Sequence, residues 1–552
     1  MVVNDRAGRL GKLAGRIGLT AALLTGSAAY AHADRNIFFP GNLLISRSVY
    51  DNNPANVRVG MVLPPNCADT SVGCGTPPVT ATNDGSYPEV FNNALVDGSF
   101  GITSAIFLDQ MTTSGVVLNT LEVPNSSRNG VPPTKDQMVT SFSSKSELAL
   151  NLSTDHKYVT FMGYFAPINA LDLSNANTPG VVDPTNPVGE NASRLVAQID
   201  VKGKIRFTAT NAYSGNNGRA AILNEDAGVV YTAGNAGNGN SPQPDGVILG
   251  AGMQIMNPQT KSVVAQKPGT PTPVGSFNIT QLGDSSDKIG KDTNFRGLTI
   301  FNNVIYTTKG SGGNGVNTVY FIDTTGTICT SSDGIGLPSA SATLPTAGIP
   351  YDPAELQTEG VVPYNMCVLS GFPTALKSKT AFPFGVWFAN PTTLYVADEG
   401  DGTNTFDSTT MTYTSAASSK TAGLQKWLFD STTQQWNLAY TLQAGLALGT
   451  PYTIANYPTA NNPATGLPWS PATDGLRNIT GVVNGDGTVT IYAITSTVSG
   501  GGDQGADPNK LVVITDTTDA TGPTPPSGES FTTLRNANNL EVLRGVSWTP
   551  GS

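Results

Sequence analysis

From Glu147 onward the chain alternates short runs of β-branched and aromatic residues with turns rich in Gly, Asn and Asp. Leu298-Thr-Ile-Phe301, a turn at Asn302-Asn303, Val304-Ile-Tyr-Thr-Thr308 and Thr318-Val-Tyr-Phe-Ile-Asp323 form one such series. Alternation with a period of two predicts strands, and the Asn pair predicts a hairpin. Between the second and third runs lies Gly310-Ser-Gly-Gly-Asn-Gly315, which fits the G-x-G-x-x-G dinucleotide fingerprint. Such a loop must open a helix, because a helix N-terminus holds the pyrophosphate. Here it opens strand-forming residues, so a hairpin connection is expected.

The same phrase recurs. Phe384-Gly-Val-Trp-Phe388 turns at Asn390-Pro391 into Leu394-Tyr-Val-Ala397, and Arg477-Asn-Ile-Thr-Gly-Val-Val483 turns at Asn484-Gly-Asp-Gly487 into Val489-Thr-Ile-Tyr-Ala493. Two earlier copies run through Glu147–Asn151 with Tyr158–Met162, and Gly218–Leu223 with Val229–Thr232; Gly246–Leu249 and Ser276–Ile279 are expected to complete the second of these. Each unit reads as four antiparallel strands, A to D. Strands A begin near positions 147, 219, 296, 384, 477 and 544. Repeated four-stranded units predict an all-β fold, a six-bladed β-propeller. A seventh blade is the alternative, if residues 331–383 hold a degenerate unit.

The last unit has only its strand A, Arg544-Gly-Val-Ser-Trp548. Asn42–Ser46, Ser104–Leu108 and Val116–Leu121 are expected to supply its strands B, C and D. That pairing closes the ring and removes exposed edges.

Composition fits this reading. Of 552 residues only 13% are charged, with 61 Gly and 38 Pro. Residues 1–33 read as a signal peptide: Arg6, Arg9, Lys12 and Arg16 precede an apolar Ile17–Ala29 run and an Ala31-His-Ala33 cleavage site. Residues 34–552 are then one propeller domain, exported to the periplasm or the extracellular space. No later apolar run is long enough for a transmembrane anchor. Without residues 1–33, which hold four basic residues and one acid, 26 basic and 39 acidic residues remain, a formal net charge of −13. Such a surface repels nucleic acid. The four cysteines are expected to form disulfides, Cys67–Cys74 and Cys329–Cys367 being the pairing favoured by closeness.

The 519 residues after the signal give about 86 per blade, against about 40–45 in a compact blade. Much of the excess falls between strands B and C, at 52–100, 164–193, 398–421 and 497–509, and before strands A, at 126–145, 331–383 and 445–475. Those connections share one rim, which is therefore the expected binding face.

Candidate chemistry starts from what is missing. After the signal only His156 remains, in an A–B turn on the opposite rim, so a Ser-His-Asp triad and a His-ligated metal both lack their imidazoles. Arg219, Arg296, Arg477 and Arg544 occupy matching positions at the start of strand A, with Glu147 and Phe384 in the other two units. Guanidinium forks suit carboxylate or phosphate. The four converge either on a small polar or anionic ligand at the channel mouth, or on internal partners such as Glu147, Asp474, Glu541 and carbonyls. Lys309 and Arg47 are expected to reach the same rim. Asp398-Glu-Gly-Asp401, with Glu359, offers oxygen ligands for Ca²⁺.

Ser153-Thr-Asp-His-Lys-Tyr-Val159 and Leu394-Tyr-Val-Ala-Asp-Glu-Gly400 resemble blade motifs of secreted bacterial propellers of the NHL, YVTN and TolB-like groups. The resemblance implies a propeller fold and a choice among lactonases, phytase-like esterases, lyases and binding scaffolds. It implies acidic and amide ligands for calcium in a lactonase-like hydrolase, with Asp398, Glu399 or Glu359 as ligand or base. A cell-surface module contacting another protein is the third alternative.

Overall fold

The computed structural model describes residues 36–61, 89–91, 101–125, 137–171, 173–174, 176, 192–210, 212–213, 215–235, 252–258, 275–276, 294–310, 316–328, 334–346, 366–375, 381–501 and 505–552. All of them lie in one compact unit, Asn36–Ser552. The signal segment 1–33 lies outside the described residues.

Three strands come first: β1 (Leu43–Val49), β2 (Thr103–Met111) and β3 (Val117–Glu122), with the short β4 (Thr140–Ser141) beside β2. Blade 1 is β5 (Asn151–Leu152), β6 (Tyr158–Tyr164), β7 (Arg194–Asp200) and β8 (Ile205–Thr210). Blade 2 is β9 (Gly218–Asn224), β10 (Val229–Gly234), β11 (Met253–Met256) and β12 (Gly275–Ser276). Blade 3 is β13 (Phe295–Phe301), β14 (Val304–Lys309), β15 (Thr318–Ile322) and β17 (Met366–Leu369), with the short β16 (Ile335–Gly336) parallel to β17. Blade 4 is β18 (Pro383–Asn390), β19 (Thr393–Asp398), β22 (Gly423–Asp430) and β23 (Gln435–Leu442). Its B–C insertion folds as a small hairpin, β20 (Phe406–Asp407) and β21 (Thr412–Tyr413), and one helical turn, α1 (Thr414–Ser418). Blade 5 is β24 (Ala472–Val483), β25 (Thr488–Val498), β26 (Lys510–Thr517) and β27 (Thr532–Asn536).

The last strand, β28 (Glu541–Trp548), pairs with β1 and completes blade 6 in the order β28-β1-β2-β3. The register sets Leu43 against Trp548, Leu44 against Ser547 and Ile45 against Val546. The fold is a six-bladed propeller closed by its first and last strands, as expected. Among the described residues no helix is long and apolar enough to cross a membrane.

The seventh blade is not formed. Among the described residues the region read as its source instead carries β16 and β17, which belong to the sheet of blade 3. Two strand assignments also move. Strand C of blade 2 is β11, because Tyr231 pairs with Ile255; residues 246–249 lie outside the described residues. Strand A of blade 1 shrinks to Asn151–Leu152, because Leu148 adopts φ +63° and breaks the extended run.

The hairpin reading of the glycine segment holds: β14 and β15 are antiparallel neighbours, Lys309 opposite Thr318, and no helix follows. Asn302 and Asn303 both take left-handed φ, +48° and +60°, the conformation that a tight two-residue hairpin needs and Asn tolerates.

Apolar side chains fill the wedges between blades. Leu44, Leu108, Phe161 and Leu195 meet between blades 6 and 1, and Leu43, Val546, Ile494 and Leu511 between blades 5 and 6. Around the channel the inner strands touch through backbone. A Cβ on Gly297 would sit 2.0 Å from the Phe384 carbonyl oxygen, one on Gly385 2.4 Å from that of Arg477, and one on Gly545 2.3 Å from that of Leu148. Each contact joins one blade to the next. Gly297→Ala is therefore expected to lower stability by about 1–3 kcal/mol, read as a fall in the denaturant midpoint at unchanged slope.

Candidate functional site

Strands A start at the rim where the B–C and D–A connections emerge. The residue before each of the glycines Gly297 and Gly545 projects from that end, and in both cases it is arginine. Arg219, Arg296, Arg477 and Arg544 are all buried, between 4% and 6% exposed.

Two of them share one carboxylate. Glu399, one residue past β19, places Oε1 3.6 Å from Arg296 Nη2 and Oε2 3.2 Å from Arg477 Nε. Burial pushes the Glu399 carboxyl up, but Arg296, Arg477 and Lys145 outweigh it and hold it below the usual range. Arg219 feels Glu399 and Arg296 without touching a carboxylate. Its Nε donates to Asn217 Oδ1 at 3.2 Å and its Nη1 to the Phe295 carbonyl at 3.0 Å. Burial first, and the neighbouring Arg296 second, press its pKa well below the ordinary value. Arg296 also donates to Ser146 Oγ and lies 5.8 Å over the Phe384 ring.

Arg544 belongs to a different set of contacts. It donates to the Ser144 and Phe142 carbonyls and to Ser48 Oγ. Segment 142–147 thus binds Arg544 of blade 6 and Arg296 of blade 3, and caps the channel between them. Gly505 closes over it so tightly that a Cβ there would lie 1.8 Å from the Ser143 oxygen. Glu147, at the base of this cap, faces Thr140 Oγ1 at 2.6 Å, the Ser141 N–H at 3.0 Å and the Tyr164 hydroxyl. Its oxygens are held by neutral donors.

Lys309, Arg47 and Asp398 stand in strands B, paired with residues beside or near the starts of strands A. Lys309 is buried at the end of β14, opposite Phe295. Arg47 sits inside blade 6, 2.6 Å from Asp109 and 2.9 Å from Glu541, with Arg535 of blade 5 on the same Asp109. Asp398 accepts from the Phe382 and Gly400 N–H groups and from Gln425 Nε2, while its neighbour Glu399 turns to the arginines. Among the described residues no group of three His, Cys, Asp or Glu could hold a metal ion. Glu359 lies outside them, as do Cys67, Cys74 and Cys329; Cys367 is buried in β17, and no described cysteine is free.

Asp474 is a residue of this site that sequence reasoning offered only as an arginine partner. It stands at a bulge of β24, where the ladder shifts between Thr473 and Leu476. Oδ2 accepts from the Gly402 N–H at 2.8 Å, and Oδ1 is buried without a hydrogen bond. Burial raises its pKa to about 7, and that of Asp398 to about 6. Its Asp-Gly dipeptide inside a long strand was the readable signal, since Gly in a strand marks a bulge.

The chain is a six-bladed β-propeller with a charged layer across one end of its channel. No family model matches it, and no curated protein matches it. Among solved structures it is similar to Kuenenia stuttgartiensis hydrazine synthase, at 9% identity over 71% of this chain and 68% of that one, with a TM-score of 0.25. It is similar to the Bombyx mori GH32 β-fructofuranosidase BmSUC1, at 9% identity over 70% of this chain and 63% of that one, with a TM-score of 0.28. An ulvan lyase of a polysaccharide lyase family matches at 11% identity over 82% of this chain and 91% of that one, with a TM-score of 0.28.

A raised carboxyl pKa means that the folded state binds the proton more tightly than the unfolded chain. Stability from this source is full at low pH and falls as pH rises from about 4 through the folded value near 7. Asp474→Asn removes the titration. Its stability relative to the wild type is expected to rise across that interval, measured by urea unfolding at several pH values.

Proposed function

We propose that this protein is an exported binding propeller that takes a small anionic ligand at the arginine end of its channel. The observation that carries this reading is Arg219, a buried guanidinium whose hydrogen bonds go to neutral groups. Beside it, Arg296 and Arg477 contact one carboxylate, Glu399, which also acts on Arg219 at longer range. A carboxylate or phosphate would give Arg219 a charged hydrogen-bond partner, and planar guanidinium forks bind both in bidentate fashion. Arg219 is the residue best placed to give a new bond, because its present partners are neutral. Access requires the 142–147 cap to swing away from Arg296 and Arg544.

Binding of an anion to the folded state alone stabilises it, by about 2.7 kcal/mol at a ligand concentration of 100 Kd. Inorganic phosphate, sulfate and citrate are the probes, with the thermal midpoint as readout. At least one is expected to raise the midpoint of the wild type and not that of Arg219→Gln. No shift with any of the three would sink the reading.

A hydrolase is the second reading, favoured by Asp474. A buried carboxyl with a pKa near 7 and one unpartnered oxygen suits general acid–base work. Turnover of a lactone or phosphate ester that survives Asp474→Asn would remove it. The calcium-dependent form has less support, since Asp398 and Glu399 already commit their oxygens to other partners. For a cell-surface protein partner, no specific feature of the described residues speaks.

Export predicts a mature N-terminus at Asp34 and, in the oxidised protein, the bridges Cys67–Cys74 and Cys329–Cys367. N-terminal sequencing and non-reducing peptide mapping of secreted protein check both. A start at Met1 or four alkylatable thiols would contradict it.

A further inference from the structure

The other end of the channel has different chemistry. A cavity of about 1260 Å³ opens there, between the A–B turns. Every blade contributes to its wall through the inner strand or the turn that follows. Ile222, Leu298, Val386 and Ile479 are buried in this wall, and Phe301, Trp387 and Trp548 are half-buried aromatics along it. No Asp, Glu, Lys or Arg side chain lines it among the described residues.

Its polar groups have hydrogen-bonding capacity left over. Thr299 and Thr480 are half-buried in the wall, and Asn302 and Asn303 stand exposed at the hairpin beside it. None of the four side chains bonds another described residue, and neither does the indole N–H of Trp387. The Trp548 indole, by contrast, is tied to the Gly481 carbonyl at 2.9 Å. Phe301 is likewise fixed, stacked on Phe388 at 4.5 Å and 4°. The aromatic walls are thus held in place, while the amide and hydroxyl groups are open to a guest.

These features select a chemical class. An ion entering the cavity would lose water and find His156, already bonded to the Ser552 carbonyl, as the one chargeable side chain among the lining residues, which is costly. A pure hydrocarbon would leave the threonine, asparagine and indole groups unsatisfied on desolvation. A sugar ring has an apolar C–H face for a tryptophan or phenylalanine, and a hydroxyl edge that both donates and accepts. Asn and Thr do the same. The volume exceeds the range of about 300–1,000 Å³ usual for small-molecule pockets, which suits several linked rings better than one.

We infer that the A–B end of the channel is a binding site for an uncharged oligosaccharide, with Trp387 as the ring platform and Thr299, Thr480, Asn302 and Asn303 as hydrogen-bonding partners. This site is independent of the arginine end. A neutral sugar tests it without engaging the charged layer, so either proposal can fail alone.

The experiment is saturation-transfer NMR on the full mature protein, with millimolar neutral saccharides as probes: maltose, cellobiose, xylobiose, mannobiose, lactose and sucrose, each also as its trimer where one exists. At least one is expected to receive saturation from the protein. Its affinity should fall by about tenfold or more in Trp387→Ala, about 1.4 kcal/mol. Trp387 also packs against Gly481, so its loss could unsettle the fold. Thr480→Arg supplies the second variant: it leaves the wedge cores intact and places bulk and charge on the wall, and it should abolish binding with the thermal midpoint unchanged. Absence of transfer to every neutral probe overturns the inference. So does binding that survives Thr480→Arg.

Discussion

The close approach of the six inner strands fixes everything else in this molecule. At three of the joints a glycine lets one strand press its backbone against the carbonyl of the next, as Gly297 does on Phe384. Such contact leaves no room for a side chain at the glycine and turns the preceding residue toward the channel end. In two units that residue is arginine. Packing therefore concentrates positive charge at a place where water is scarce, and the rest of that rim is organised around the consequence. Glu399 reaches in from the end of β19 to bridge two guanidiniums. Carbonyls of the 142–147 segment satisfy a third.

The channel is thereby divided. Its loop-rich end is charged, capped and crossed by hydrogen bonds. Its other end is wide, lined by no described Asp, Glu, Lys or Arg side chain, and walled by aromatic and aliphatic side chains. The division follows from chain direction alone. In each inner strand that carries one, the arginine comes before the residues that line the other end, as Arg296 comes before Ile300 and Arg477 before Ile479. The insertions that build the cap lengthen the B–C and D–A connections, whereas most A–B turns are two to four residues long, as at Asn302-Asn303.

Local pattern revealed the blades, their number and the sharing of blade 6 between the two ends of the chain, because period-two alternation and turn chemistry are written in neighbouring residues. The matching positions of the four arginines could be read for the same reason. What could not be read depends on distant contacts. Strand D of blade 3 lies more than 40 residues beyond its strand C, too far for a hairpin signal. Leu148 breaks an apparently regular strand with its left-handed φ, and its carbonyl accepts from Ser46 Oγ at 2.7 Å, a partner 102 residues earlier. Asp398 and Glu399 look alike in sequence as acids of one hairpin. Their opposite orientations separate them, one toward backbone N–H groups and the other toward arginine. Adjacent residues of a strand point to opposite sides, so a pair of neighbouring acids rarely serves one ligand.

The pairing of β1 with β28 also sets a clock. Leu43 and Trp548 lie far apart in the chain, so their synthesis is separated by a delay on the order of tens of seconds. During that interval the first strand has no neighbour on one side, and the other five sheets can assemble into an arc that stays open. Closure needs both strands, and anything that holds back Glu541–Trp548 keeps the arc from becoming a circle.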